Sequence, residues 1–196
     1  ACHMKPVAGK VNISRVWGKP REGVMQHVFR GGNFFIPRLL NAHRAELGVT
    51  ALPQELETTA QRTIVNLKET AARLGVDASL SDGRLRARVA VRNLAGHKLP
   101  SAYPSRRVWI HLQVADAAGK VIFESGKLNA DGSIVGNDND ADKTKFEPHH
   151  ALIESADQVQ IYEPILGGPD GKVTTGLLTA TTYLKDSRLL PEGFDK

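Results

Sequence analysis

Apolar positions recur along the chain with two periods, and the change from one to the other divides it. Between Pro53 and Gly75, Leu56, Ala60, Ile64, Leu67, Ala71 and Leu74 fall at spacings of four and three. Glu57, Arg62, Lys68 and Arg73 lie off that stripe. The spacing predicts one amphipathic helix. Pro53 is tolerated in a first turn and Gly75 suits a stop, while Glu55 and Glu57 near the start and Arg73 near the end complement the helix dipole. A shorter helix is predicted over 33–47, with Asn33 as N-cap and Gly48 as its end. Phe35, Leu39, Leu40 and His43 fall near one face, and Pro37 restricts the reading because only a first turn admits it.

After Gly75 the period becomes two. Leu85, Ala87, Val89 and Val91 alternate with Arg84, Arg86, Arg88 and Arg92, interrupted only by Ala90, as in a half-buried strand. Val108, Ile110, Leu112 and Val114 alternate with Trp109, His111 and Gln113. Asp116-Ala-Ala-Gly119 then reads as a hairpin turn into Lys120–Glu124, and further short strands are expected over 158–162 and 173–184. Residues 1–32 lack clear periodicity and carry Pro6, Gly9, Gly18, Pro20, Gly23, Gly31 and Gly32, which predicts an extended arm. The expected fold is α+β: the arm and two helices over 1–75, then an antiparallel, immunoglobulin-like β-sandwich over 76–196.

The composition fits a globular chain. Hydrophobic residues make up 41% and charged ones 24% of the 196 residues, which excludes a disordered segment. No apolar run approaches the roughly 20 residues of a membrane helix. The net charge of +5 is mild and its basic residues are not clustered with aromatics, so nucleic acid is not an expected partner. A single cysteine excludes an internal disulfide framework and a cysteine-rich zinc site. No signal-peptide pattern opens the chain, and Ala1-Cys2-His3-Met4 reads as a sequence cut within a motif.

The most constrained stretch runs from Asn93 to Trp109. Gly96, Pro100 and Pro104 forbid regular structure there and fix a turning path around His97. This is either a loop built to present His97 or a rigid crossing whose histidine bonds the backbone. Cys2-His3 is the tail of Cys-x-x-Cys-His, in which two thiols attach haem c and the adjacent imidazole ligates its iron. Asn137-Asp138-Asn139-Asp140-Ala141-Asp142 alternates oxygen ligands as part of a calcium loop does. It lacks the downstream glutamate of an EF-hand, and a solvated acidic turn is the competing reading. His149-His150 follows Pro148, and adjacent side chains diverge in extended chain, so at most one of them could serve a metal. His43 is read as a core or interface histidine and His111 as solvent-exposed. Nucleophile elbow, Walker loop, dinucleotide fingerprint and zincin helix are all missing from the sequence.

Taken together, Cys2-His3-Met4, Gln26-His27-Val-Phe-Arg-Gly-Gly-Asn-Phe-Phe35 and Asn93 to Trp109 resemble the C-terminal region of periplasmic or extracellular multihaem c-type cytochromes. Gly132 to Asp140, Phe146-Glu-Pro-His-His150, Asp157 to Glu163 and Arg188 to Phe194 extend the resemblance over nearly the whole chain. The resemblance implies electron transfer through bis-histidine haem c, a location outside the cytoplasm, and a redox partner protein or another haem-bearing chain or segment. Carried over, Cys2 would attach a haem together with a cysteine before residue 1, and His3 would be its proximal ligand. His27 and His97 would be the distal candidates. The chain departs from the family in having no complete haem motif of its own.

Three other readings stay open on the sequence. The chain could be a cofactor-free β-sandwich module that docks on a partner subunit. It could support the active site of a multihaem oxidoreductase, or be a scaffold from which the haem-bearing part has been lost.

Overall fold

The computed structural model describes residues 3–101 and 103–194, which form an α+β chain of two compact units that divide between Gly96 and His97. The first unit therefore includes the strands that follow Gly75, the residue at which the change of period suggested a boundary.

In the first unit, residues 3–30 double back as a loose antiparallel ribbon with bridges at Pro6–Met25 and Val11–Arg21. Helix α1 spans Phe35–Ala42, shorter than the 33–47 predicted. The N-cap is Phe34 and not Asn33, but Asn33, one residue before it, still accepts from the Phe35 and Ile36 amides through Oδ1 at 3.0 and 3.1 Å, and Pro37 lies in the first turn. No residue of α1 is buried, and Leu39 is 48% exposed. Helix α2 spans Pro53–Asn66 and continues as a wider turn over Leu67–Ala71. Glu55 Oε2 accepts from the Leu52 amide at 2.9 Å, satisfying one of the donors left over at a helix start. Ala60 is fully buried, and Leu56, Ile64, Leu67 and Ala71 are half-buried, so the predicted stripe holds that far.

It does not reach Leu74. Strand β1, Ala72–Ser81, begins immediately after the wide turn and pairs along its length with β2, Arg84–Asn93. The turn between them is Asp82-Gly83, with φ of +52° and +71°, the left-handed pair that a two-residue hairpin requires. Leu74↔Val91, Val76↔Val89, Ala78↔Ala87 and Leu80↔Leu85 share one face of this hairpin. Arg73↔Arg92, Asp77↔Arg88, Ser79↔Arg86 and Ser81↔Arg84 share the other.

The second unit is built from short antiparallel strands. β3 (Val108–Trp109) pairs with β6 (Ile161–Tyr162), and β4 (Leu112–Ala115) pairs with β5 (Val121–Ser125). The central β7 (Pro164–Gly167) pairs with both β8 (Val173–Thr174) and β9 (Thr182–Asp186). The Asp116–Gly119 hairpin forms as predicted, with Asp116 Oδ1 accepting from the Ala118 and Lys120 amides at 2.9 Å. The run 108–114 is not one strand. It breaks at Ile110 and His111, and Trp109 turns inward against Ile134, Val159 and Ile161 instead of facing away from the core.

Gly126 locks that tryptophan in place. Its carbonyl accepts from Trp109 Nε1 at 3.0 Å, its φ is +73°, and a Cβ there would run into the Ile110 carbonyl oxygen. Gly126→Ala should therefore destabilise this unit by about 3 kcal/mol. Urea unfolding followed through fluorescence in a Trp17→Phe background, where Trp109 is the remaining tryptophan, checks it, and an unchanged midpoint would contradict the close approach.

Candidate functional site

Cys2 lies outside the described residues. Its neighbour His3 closes the open end of the ribbon, where the Arg30 amide donates to the His3 carbonyl at 2.8 Å and His3 Nδ1 bonds the Arg30 carbonyl in return. A carbonyl can only accept, so in this contact Nδ1 is the donor. His27 sits across the same end of the ribbon, beside the Gln26 amide that donates to the Lys5 carbonyl at 2.9 Å. Its exposed ring tilts against Phe29 with centroids 5.6 Å apart. It also borders a shallow depression of about 530 Å³ together with Ile13, Arg21, Val24 and Met25. Phe29 takes φ of +41°, uncommon for a residue with a bulky side chain, and so redirects the chain between His27 and Arg30.

His97 opens the second unit, exposed, with Nδ1 3.3 Å from the Lys98 carbonyl. Several bonds fix the loop that follows. Leu99 and Leu189 exchange main-chain hydrogen bonds of 2.9 Å each way, and Pro100 is buried. Lys98 Nζ bonds Asp186 Oδ2 at 2.7 Å, and Arg188 grips the same carboxylate in a fork at 2.7 and 2.8 Å. On the other side of His97, buried Asn93 accepts from the Ala95 amide at 2.9 Å. The sequence identified the loop as constrained by Gly and Pro. The ionic anchor at Asp186 could not be read there, because its partners are far apart in the chain.

The acidic loop folds on itself. Asp138–Asp140 form a single 3₁₀ turn. Asp140 accepts from Arg107 at 2.6 Å and from the Ile134 amide at 2.8 Å, and Asp142 accepts from the Thr144 hydroxyl and amide at 2.6 and 2.9 Å. The Asp138 amide donates to Glu147 at 3.0 Å. Two of the three carboxylates proposed for calcium thus serve the chain's own donors. Among the described residues, no three histidine, cysteine, aspartate or glutamate side chains cluster as a metal-ion site.

The remaining histidines are separate. His43 pairs with Glu46 at 3.2 Å on the surface and not in a core. His111 is exposed and reaches Glu124 at 2.9 Å. His149 Nδ1 accepts from the Gln160 amide nitrogen at 2.8 Å, while His150 is largely covered with its Nε2 3.8 Å from Glu147.

The Arg188 guanidinium, then the Lys98 ammonium, hold the Asp186 carboxyl well below the usual carboxylate range, against the effect of its partial burial. A carboxyl whose pKa is depressed on folding contributes stability above its unfolded value, about 3.9, and loses it as pH falls toward the folded one. Asp186→Asn should therefore cost about 1–2 kcal/mol at pH 7. The difference from the natural chain should shrink progressively below about pH 4. Urea midpoints at pH 7 and pH 3 check this, and a difference independent of pH would contradict it. No helix among the described residues is long and apolar enough to cross a membrane. Compared with family models, curated proteins and solved structures, the chain gives no match.

Proposed function

We propose that this chain transfers electrons as the C-terminal part of a multihaem c-type cytochrome located outside the cytoplasm. On this reading Cys2 and a cysteine before residue 1 attach haem, and His3 is its proximal ligand. His27 and His97 ligate that haem or one attached in preceding sequence. The second unit is then an immunoglobulin-like β-sandwich serving as a structural or docking module.

The observation that supports this most is a contact common to His3 and His97. Both turn Nδ1 onto a main-chain carbonyl, Arg30 in one case and Lys98 in the other. Metal-ligating histidines are held this way: the second nitrogen is tied to an acceptor, which fixes the ring's orientation and raises the basicity of the ligating nitrogen. The residues present therefore fit the group. Haem bound through two imidazoles supplies a one-electron couple with no open coordination position. The ribbon end orients His3, and the bonds from Lys98 and Leu99 limit the conformations open to His97, so little ordering entropy remains for ligation.

A cofactor-free module that docks on a partner subunit is the second reading. It is favoured by the exposed apolar face of the β1–β2 hairpin, where Leu74 is 67% and Leu80 75% exposed. An isolated two-stranded hairpin is marginal in water, so such a face calls for a cover.

The two readings separate on the protein from its native source. Intact mass and a reduced-minus-oxidised visible spectrum should show covalently added haem and a sharp alpha band. A mass equal to the bare polypeptide without visible absorbance would exclude haem from this chain and leave the docking module.

A further inference from the structure

The ribbon of residues 3–30 turns at a tip whose large apolar side chains face solvent: Ile13 is 58%, Val16 75% and Trp17 83% exposed. The tip is built by local bonds. Ser14 Oγ accepts from the Val16 and Trp17 amides at 3.2 and 3.1 Å, and Gly18 supplies a φ of +119°. Below it, Val11 and Arg21 exchange main-chain hydrogen bonds of 3.1 Å each way. A serine turn closed by a two-bond bridge sets the direction of Val16 and Trp17 without help from any neighbouring element.

Positive charge flanks these apolar groups along the chain. Lys10 and Arg15 lie on the approach, Lys19 and Arg21 on the return, and the sequence has no acid before Glu22. None of these cations forms an ion pair among the described residues. The apolar tip and the cations beside it together suit a surface with hydrocarbon beneath a layer of negative charge. Tryptophan settles at the headgroup level of a bilayer, aliphatic side chains reach the acyl boundary, and lysine and arginine are drawn to anionic headgroups while their stems cover apolar surface.

We propose that Ile13–Lys19 is an interfacial anchor that inserts into the surface of an anionic lipid bilayer. An acidic cleft on a protein would also accept a tryptophan and an arginine, but such a cleft works through fixed, often bidentate pairings. Here the cations are divided between the two sides of the ribbon on long side chains, which suits a diffuse layer of charge. The anchor does not depend on haem and would serve either reading of the chain.

The test uses the full chain with vesicles of phosphatidylcholine alone and of phosphatidylcholine with one quarter phosphatidylglycerol. Cosedimentation should show binding on the order of tenfold or more stronger to the anionic vesicles, falling in high salt. Trp17→Ser should weaken it about tenfold, and Arg15→Gln with Lys19→Gln should remove most of the preference for anionic lipid. In a Trp109→Phe background, where Trp17 is the remaining tryptophan, its emission should move to shorter wavelength on binding. Absence of binding to anionic vesicles, or binding unchanged by Trp17→Ser, would overturn the proposal. So would a Trp17 already shielded from acrylamide in the free chain, or an emission shift with soluble polyglutamate and none with vesicles.

Discussion

The second unit depends on one buried run, residues 159–168, finding partners for all that it carries inward. The run includes Gln160 and Glu163 as well as Val159, Ile161, Ile165 and Leu166. β3 pairs with its first part, and β8 and β9 pair on either side of its second. Side chains complete the work, with Ser187 Oγ donating to the Ile161 carbonyl at 3.0 Å and accepting from the Glu163 amide at 3.1 Å. Glu163 and Lys185 meet at 2.9 Å with side chains 6% and 7% exposed. Ion pairs this deeply covered add little net stability, because desolvation offsets their attraction, but losing one partner is costly. The pair agrees with the register of β9 on β7, in which Lys185 lies opposite Ile165.

That register carries through to the loop around His97. Successive residues of a strand point to opposite faces, so placing Lys185 inward puts Asp186 on the other side. There it receives Lys98 and Arg188, and the Leu99–Leu189 bridge follows. The Gly-His-Lys-Leu-Pro segment is thus tied to the last strand by bonds on the residues immediately after His97. In the first unit the same logic acts at smaller scale: His3 is oriented by the backbone of Arg30, at the closing end of a ribbon whose far end presents Trp17.

Much of the fold was legible wherever one period held without competition. The α2 stripe, the β2 strand and the Asp116–Gly119 hairpin formed where the pattern placed them, but β2 is not half-buried as its alternation predicts: Leu85 and Ala87 are exposed, because β2 pairs with β1 alone. Leu74 was misread because it satisfies both periods, four-three spacing from Leu67 and Ala71 and alternation with Val76, Ala78 and Leu80. The Asp82-Gly83 turn was the signal that could have settled it. β7 was missed because Pro164 obscures a strand beginning, although the first residue of a strand tolerates proline. Trp109 was placed by alternation, which fails where a strand breaks and its halves join different sheets. The candidate histidines were visible as residues, but what orients them was not: the carbonyl that holds His3 is supplied 27 positions away.

On the proposed function, the imidazoles of this chain close the coordination of a haem iron and leave no open site. Electron paramagnetic resonance of the ferric protein from its native source tests it most directly. Two axial histidines should give low-spin spectra. A high-spin, five-coordinate signal would contradict it and favour a supporting role in a multihaem oxidoreductase, while the absence of any haem signal would leave the chain as a docking module.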